Sequence, residues 1–160
     1  MKMLKTLFLA LGFIFATSAL AGHHMPKGDF GWYGVTGNFK QITDTQIYWL
    51  GEFSGTFFAD DTNSPLHGAS MRCPGFMDVN LATQSSTLGG YCLISDQAGN
   101  KASVKWQGTG DGINSGGDWS WVSGDGPYAD LAGKSGGKWR GKTVTNWADG
   151  AATGWAYWNK

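Results

Sequence analysis

Apolar and polar residues alternate along two segments of the chain. Between Gln46 and Phe58, every second residue belongs to the more apolar face, which consists of Ile47, Trp49, Gly51, Phe53, Gly55 and Phe57. The segment from Lys101 to Gln107 alternates in the same way. Since successive side chains of a β-strand point to opposite sides, this period of two predicts half-buried strands.

Shorter segments rich in aromatic and β-branched residues occur along the remaining chain, separated by glycine, proline, asparagine and aspartate. The predicted strands are 30–40, 46–58, 67–73, 90–96, 101–107, 119–123, 138–145 and 151–158. We interpret Pro74-Gly75 and the glycine-rich segment 108–117 as turns, and 78–88 as a longer polar excursion. About eight short strands without an intervening helix predict one all-β domain, a closed antiparallel barrel that leaves no exposed edge.

One loop organises this arrangement. The segment 124–133 is punctuated by glycines, which favour turns with positive φ, and lies between two predicted strands. Tyr128 and Leu131 are its large apolar residues. We expect them to close one end of the barrel.

Composition narrows the functional classes. The 160 residues include 26 glycines and 14% aromatic residues, only 15% are charged, and the formal net charge is zero. Abundant aromatics exclude a disordered composition. A nucleic-acid partner normally requires a basic face, so the balanced charge predicts none.

The first 21 residues have the pattern of a secretory signal peptide. Lys2 and Lys5 precede the apolar run 7–16, and Ala19-Leu20-Ala21 is a small-x-small cleavage site. The alternative is a retained membrane anchor, for which the apolar run is short. We predict cleavage after Ala21, a mature barrel domain of residues 22–160, and export to the periplasm or the medium without further membrane attachment.

The chain has two cysteines, Cys73 and Cys92. In an exported chain an even number of cysteines favours a disulfide, and two free thiols are the alternative. A catalytic thiol is disfavoured because an oxidising compartment would convert it to a disulfide.

Four short motifs resemble those of small exported bacterial proteins with an allene oxide cyclase-like barrel. They are Gly90-Tyr91-Cys92, Asp96-x-x-Gly99-Asn100, Val104-Lys105-Trp106 and Gly126-x-Tyr128-Ala129-x-x-Ala132-Gly133. The resemblance covers roughly residues 47–158. It departs from the family pattern in the closing loop, where Asp125 and Asp130 replace a threonine and a glycine.

The resemblance implies a calycin-like architecture, shared with allene oxide cyclases and plant dirigent proteins. It implies the fold and transfers no chemistry, because the matching residues are turn and packing residues. In the cyclases and dirigent proteins, polar side chains in the barrel interior act on a reactive apolar substrate.

Glu52 is the only glutamate and lies in an aromatic strand. On the inner face, it would be a carboxylate with a raised pKa, available for proton transfer as the catalytic residue of a cyclase or isomerase. On the outer face it would be solvated. Arg72 would pair with Glu52 or with a ligand anion, or be an ordinary surface arginine.

The tryptophans admit two interpretations. Together with Tyr128, a set of them would line a cavity for an apolar or aromatic ligand, or they would fill the barrel as core. We take Trp49, Trp106, Trp119, Trp121 and Tyr128 as candidate ligand-binding residues, and Trp139 and Trp155 belong to the same aromatic set. Tryptophans at the surface would instead stack on sugar rings.

Metal and cofactor signals are weak. If cleavage follows Ala21, the amine of Gly22 and the imidazole of His24 join two backbone amides in a planar site suited to Cu(II) or Ni(II). The alternative is a disordered polar tail. The segments Asp96–Asn100 and Asp111–Asn114 lack the spacing of calcium loops and predict turns. No cofactor motif is present, so we expect no cofactor.

These observations leave three functional hypotheses. The first is an exported barrel that binds a small apolar or aromatic ligand, or a partner protein. The second is a cofactor-free cyclase or isomerase that uses Glu52. The third is a glycan-binding module.

Overall fold

The computed structural model describes residues 25–146 and 152–159. They form a closed barrel of eight antiparallel strands in which each strand pairs with its sequence neighbours and β1 pairs with β8. The strands are β1 (Gly28–Thr43), β2 (Gln46–Ala59), β3 (Ala69–Asn80), β4 (Ser85–Ser95), β5 (Lys101–Gly110), β6 (Asn114–Gly124), β7 (Ser135–Asn146) and β8 (Ala152–Trp158). The predicted fold class is confirmed.

A short 3-10 helix, Gly126–Leu131, connects β6 to β7 and closes one end of the barrel. We call this the closing helix. Tyr128 is 2% exposed and packs into the core, and Leu131 packs against that core from its edge. The predicted role of this loop is therefore confirmed.

The core lies at the closed end. Its larger buried side chains come from β1 to β6, from β8 and from the closing helix, and they include Phe30, Phe57, Met71, Ile94, Val104, Trp121, Tyr128 and Trp158. At the opposite end, which we call the open end, the hairpins β1–β2, β3–β4 and β5–β6 turn back. The two ends thus differ in how completely side chains fill them.

The predicted turn at Pro74-Gly75 is wrong, and the predicted turn 108–117 and the predicted excursion 78–88 are longer than the turns that the structure has there. β3 continues through Pro74 and Gly75 to Asn80, and β5 and β6 extend through most of the segment 108–117. The excursion 78–88 is the end of β3, a tight turn and the start of β4. Proline and glycine commonly interrupt strands, but here Gly75 and Gly108 lie within strands and make room for the rings of Trp106 and Trp139.

Candidate functional site

The barrel encloses a cavity of about 850 Å³ that extends from the open end towards the core. Six tryptophans line it, namely Trp32, Trp49, Trp106, Trp119, Trp139 and Trp158. Apolar side chains dominate the part nearer the open end: Val35, Phe39, Ile47, Met77, Val79 and Leu81. A volume of this size lies within the range of small-molecule sites.

Tryptophan rings of the cavity wall lie close to strand glycines, where a larger residue would displace them. A Cβ at Gly75 would be 2.7 Å from Cζ2 of Trp106, and one at Gly90 would be 3.0 Å from the same atom. Trp49 crosses the paired glycines Gly37 and Gly51 in a similar way. Further tryptophan–glycine contacts are Trp32 on Gly154, Trp119 on Gly136 and Trp139 on Gly108. Glycine in these strands therefore provides space for indole rings.

Aromatic contacts form the floor of the cavity. The ring centroids of Trp119 and Trp158 are 4.4 Å apart, and those of Phe57 and Trp158 are 4.8 Å apart. Trp121 lies below Trp119, with centroids 5.3 Å apart, and stacks on Tyr128. These distances are typical of packed aromatic pairs, so the floor is held by core packing.

The polar groups of the cavity are few. Among the described residues, no carboxylate side chain lines it. Lys142 and Trp155 also border the cavity, and they are direct partners in the β7–β8 ladder. The side chain of Lys142 is on the outer face, and the ring of Trp155 packs there on Tyr157.

The indole N–H groups of the wall differ in their partners. Nε1 of Trp139 donates a hydrogen bond to the carbonyl oxygen of Gln107 over 3.1 Å. Nε1 of Trp106 and Nε1 of Trp119 are buried and have no hydrogen-bond partner. Among the three, only the N–H of Trp139 is therefore satisfied by a main-chain oxygen.

The structure corrects the catalytic prediction for Glu52. Glu52 is absent from the cavity lining and forms an ion pair with Arg72, whose side chain is exposed on the outer face of β3. Trp49, Gly51 and Phe53 take the inner face, and the strand period then sends Glu52 outwards. A proton-transfer role for Glu52 inside the barrel does not fit this position.

The candidate ligand-binding residues fall into two groups. Trp49, Trp106 and Trp119 line the cavity. Trp121 and Tyr128 do not; they form the core beneath it, 4% and 2% exposed, and support its floor.

Other wall residues were missed or misplaced by sequence reasoning. Trp32 and Trp158 line the cavity, and Trp139 does so as part of the predicted aromatic set. Trp155 borders the cavity as well, but its ring packs on Tyr157. Alternation within 152–158 separates Trp155 from Trp158, but their absolute orientation depends on the register with β1 and β7. That register was not readable from the sequence.

Tyr128 anchors the closing helix to the β4–β5 turn. Its hydroxyl donates to Oδ2 of Asp96 over 3.2 Å, and Asp96 also accepts from the backbone N–H groups of Ala98 and Asn100. Burial raises the pKa of the Asp96 carboxyl, but these bonds and the Asn100 side chain outweigh burial and lower it below 3.8. Burial, followed by the charge of Asp96, raises the pKa of the Tyr128 hydroxyl.

Cys73 and Cys92 form the predicted disulfide, with Cα atoms 4.0 Å apart. It joins β3 to β4 and contributes to the cavity wall. The proposed copper or nickel ligands, Gly22 and His24, lie outside the described residues, as does the predicted signal peptide.

Apolar side chains surround the opening of the cavity. Ile42, Leu81, Ile113 and Val144 lie at or near the turns of the open end and are each between 49% and 59% exposed. The same turns also carry exposed charged residues, including Asp44 and Asp111. The described part of the chain contains no helix with the length and hydropathy needed to span a bilayer.

Comparison with known proteins does not identify a function for this cavity. No family model, no curated protein and no solved structure matches the chain. The resemblance to allene oxide cyclase-like barrels therefore stays a prediction, and the cavity itself is the basis for a function.

Proposed function

We propose that this protein is exported and binds a small apolar or aromatic molecule inside its barrel. The observation that carries the proposal is the cavity of about 850 Å³, lined by tryptophans and aliphatic side chains and open at one end. Burial of apolar ligand surface against such a wall contributes about 25 cal/mol per Å² before the costs of association. Export is supported by the signal-like leader and by the disulfide.

Two alternatives have less support. A cyclase or isomerase needs a group that moves a proton, and the described lining offers no carboxylate for that step. The glycan-binding hypothesis requires tryptophans at the surface. On the outer face Trp155 packs against Tyr157, while the tryptophans named above as lining the cavity are turned inwards.

The test is a fluorescence titration with N-phenyl-1-naphthylamine, an apolar probe that brightens on leaving water. Met77 and Phe76 are adjacent in β3, but Met77 lines the cavity and Phe76 is on the outer face. We expect saturable binding, weakened at least about tenfold by Met77→Glu because a charge then borders the apolar site. The matched variant Phe76→Glu should bind like the wild type. Equal effects of both variants, or no saturable binding, would contradict the proposal.

A further inference from the structure

Basic side chains gather on one side of the outer wall of the barrel. The strand period turns those of β5 and β7 outwards, because Ala102 and Val104 are buried and Trp139 lines the cavity. They are Lys101, Lys105, Lys138, Arg140 and Lys142, and Asp118 is the carboxylate of β6 between them. We call this surface the basic face. Since the whole chain has no net charge, the basic face is a local excess that attracts anions.

A polar depression of about 490 Å³ lies on the basic face. Its lining includes Lys105 and Gln107 of β5, Asp118 and Ser120 of β6, and Ser135 of β7. The volume is within the range of small-molecule sites. Hydroxyl and amide side chains both donate and accept hydrogen bonds, as the hydroxyl groups of a sugar do. The depression is therefore polar where the cavity inside the barrel is apolar.

The depression lies where the β6–β7 ladder is irregular. Trp119 pairs with Gly137, but Ser120 pairs with Ser135, so β7 has an extra residue, Gly136. A bulge of this kind disrupts the ladder locally and bends the strand. A Cβ at Gly136 would be 2.0 Å from Cε3 of Trp119, and Gly137 has a φ of +113°, which favours glycine. The two glycines thus permit the bend beside the depression.

A row of cations continues from the depression along β7 towards the open end. Lys138, Arg140 and Lys142 are alternate residues of the strand and lie about 6.8 Å apart along it. Lys138 pairs with Asp118, and the guanidinium of Arg140 lies 5.8 Å from the centroid of the Tyr157 ring. Lys105, Arg140 and Lys142 are exposed. An extended chain with acidic groups at regular intervals would meet successive cations along this row.

We propose that the basic face is a second binding site, for an acidic polysaccharide. A sugar unit enters the polar depression, and acidic groups of the same chain contact Lys105, Arg140 and Lys142. This inference goes beyond the proposed function and shares with it only the export of the protein. It also differs from the glycan-binding hypothesis above, because charge and hydrogen bonds rather than stacked tryptophans hold the sugar.

A basic face would also attract a nucleic acid. Two observations favour the polysaccharide. The signal-like leader and the disulfide support export, and an exported protein meets acidic glycans more readily than nucleic acids. Uncharged polar side chains, among them Gln107, Asn114 and Ser120, lie between the cations and suit sugar hydroxyl groups.

The experiment compares a short oligogalacturonate with its methyl ester, which has the same sugar chain without the charges. Heparin serves as a second, sulfated acidic polysaccharide, and a single-stranded oligonucleotide with as many charges as the oligogalacturonate is the competing polyanion. Binding is measured by isothermal titration calorimetry at low ionic strength, where exposed charges are least screened. We expect saturable binding of an acidic polysaccharide, weaker binding of the oligonucleotide and no binding of the ester.

Single substitutions locate the site. Lys105→Gln, Arg140→Gln and Lys142→Gln should each weaken binding about threefold, and the triple variant should weaken it at least about tenfold. Lys40→Gln is the matched control, because it removes an exposed lysine from β1, outside the basic face. It should bind like the wild type. The triple variant should also bind N-phenyl-1-naphthylamine like the wild type, which shows that the barrel is intact.

The outcomes separate this inference from the proposed function. If neither acidic polysaccharide binds, or if Lys40→Gln weakens binding as much as Lys142→Gln does, the inference is overturned and binding inside the barrel stands. If the ester binds as well as the oligogalacturonate, charge is not what the site recognises, and the inference is overturned. If the oligonucleotide binds as tightly, the basic face is a general polyanion surface, and the assignment to polysaccharide is overturned.

Discussion

Alanine at Gly37 should push Trp49 into the cavity. The new Cβ would lie 2.2 Å from Nε1, 2.9 Å from Cε2 and 3.2 Å from Cζ2 of Trp49, and it would meet no other atom this closely. Comfortable contact requires about 3.5 Å, so the ring must move by about 1.3 Å. Gly51, paired with Gly37, underlies the same ring. The lumen is therefore the direction that remains open.

The magnitude follows from overpacking, which typically costs about 1–3 kcal/mol. Replacing glycine also restricts the unfolded chain, which offsets about 0.4–1 kcal/mol. Gly31 provides the control in the same strand, because a Cβ there would meet no atom within 4 Å. Gly31→Ala should leave stability unchanged or raise it slightly. The difference between the two variants therefore isolates the clash with Trp49.

The assay combines urea unfolding with titration of N-phenyl-1-naphthylamine. Gly37→Ala should lower the free energy of unfolding by about 1–3 kcal/mol relative to Gly31→Ala and should weaken probe binding, because the displaced indole narrows the cavity. Equal stability and equal probe affinity in the two variants would refute the role of glycine in holding tryptophan against the wall.

Three further predictions concern the frame of the cavity. Tyr128→Phe removes the hydroxyl bonded to Asp96 and should cost about 1–2 kcal/mol in urea unfolding, whereas Tyr91→Phe on the outer face should cost little; equal costs would contradict the anchoring role. The lowered pKa of Asp96 means that its stabilisation is present above 3.8 and is lost as the pH falls through the lower folded value. The free energy of unfolding of the wild type should therefore fall more steeply between about pH 5 and about pH 2 than that of Asp96→Asn. Parallel dependence of the two proteins on pH would contradict the stabilising role of the Asp96 carboxylate. The double variant Cys73→Ala/Cys92→Ala should lose about 3 kcal/mol, given a separation of 19 residues, and an unchanged midpoint would show that the crosslink is dispensable.

Alternation of apolar residues predicted the strands 46–58 and 101–107, because it reports which side of a sheet is buried. It placed Trp49 and Trp106 on the apolar faces of these strands. It failed where glycine had a packing role: Gly75 and Gly108 resemble turn residues locally, but each lies under a tryptophan from another strand. Contacts between strands distant in sequence are not encoded in a local pattern.

The interior chemistry was harder to predict than the fold. The sequence offered Glu52 as the acid, but the register of β2 with β3 places it beside Arg72 on the outer face. Conversely, nothing local distinguishes the N–H of Trp139 from that of Trp106. The N–H of Trp139 donates to the carbonyl oxygen of Gln107, whereas the N–H of Trp106 has no hydrogen-bond partner. This difference arises only when the barrel closes.

The tryptophans themselves provide the most direct test of binding inside the barrel. In a ¹⁵N spectrum of the indole N–H groups, assigned by single Trp→Phe variants, N-phenyl-1-naphthylamine should shift the resonances of Trp49, Trp106 and Trp119. It should leave Trp155, whose ring is on the outer face, unchanged. A shift of Trp155 without the inner tryptophans would place the ligand on the surface and contradict the account.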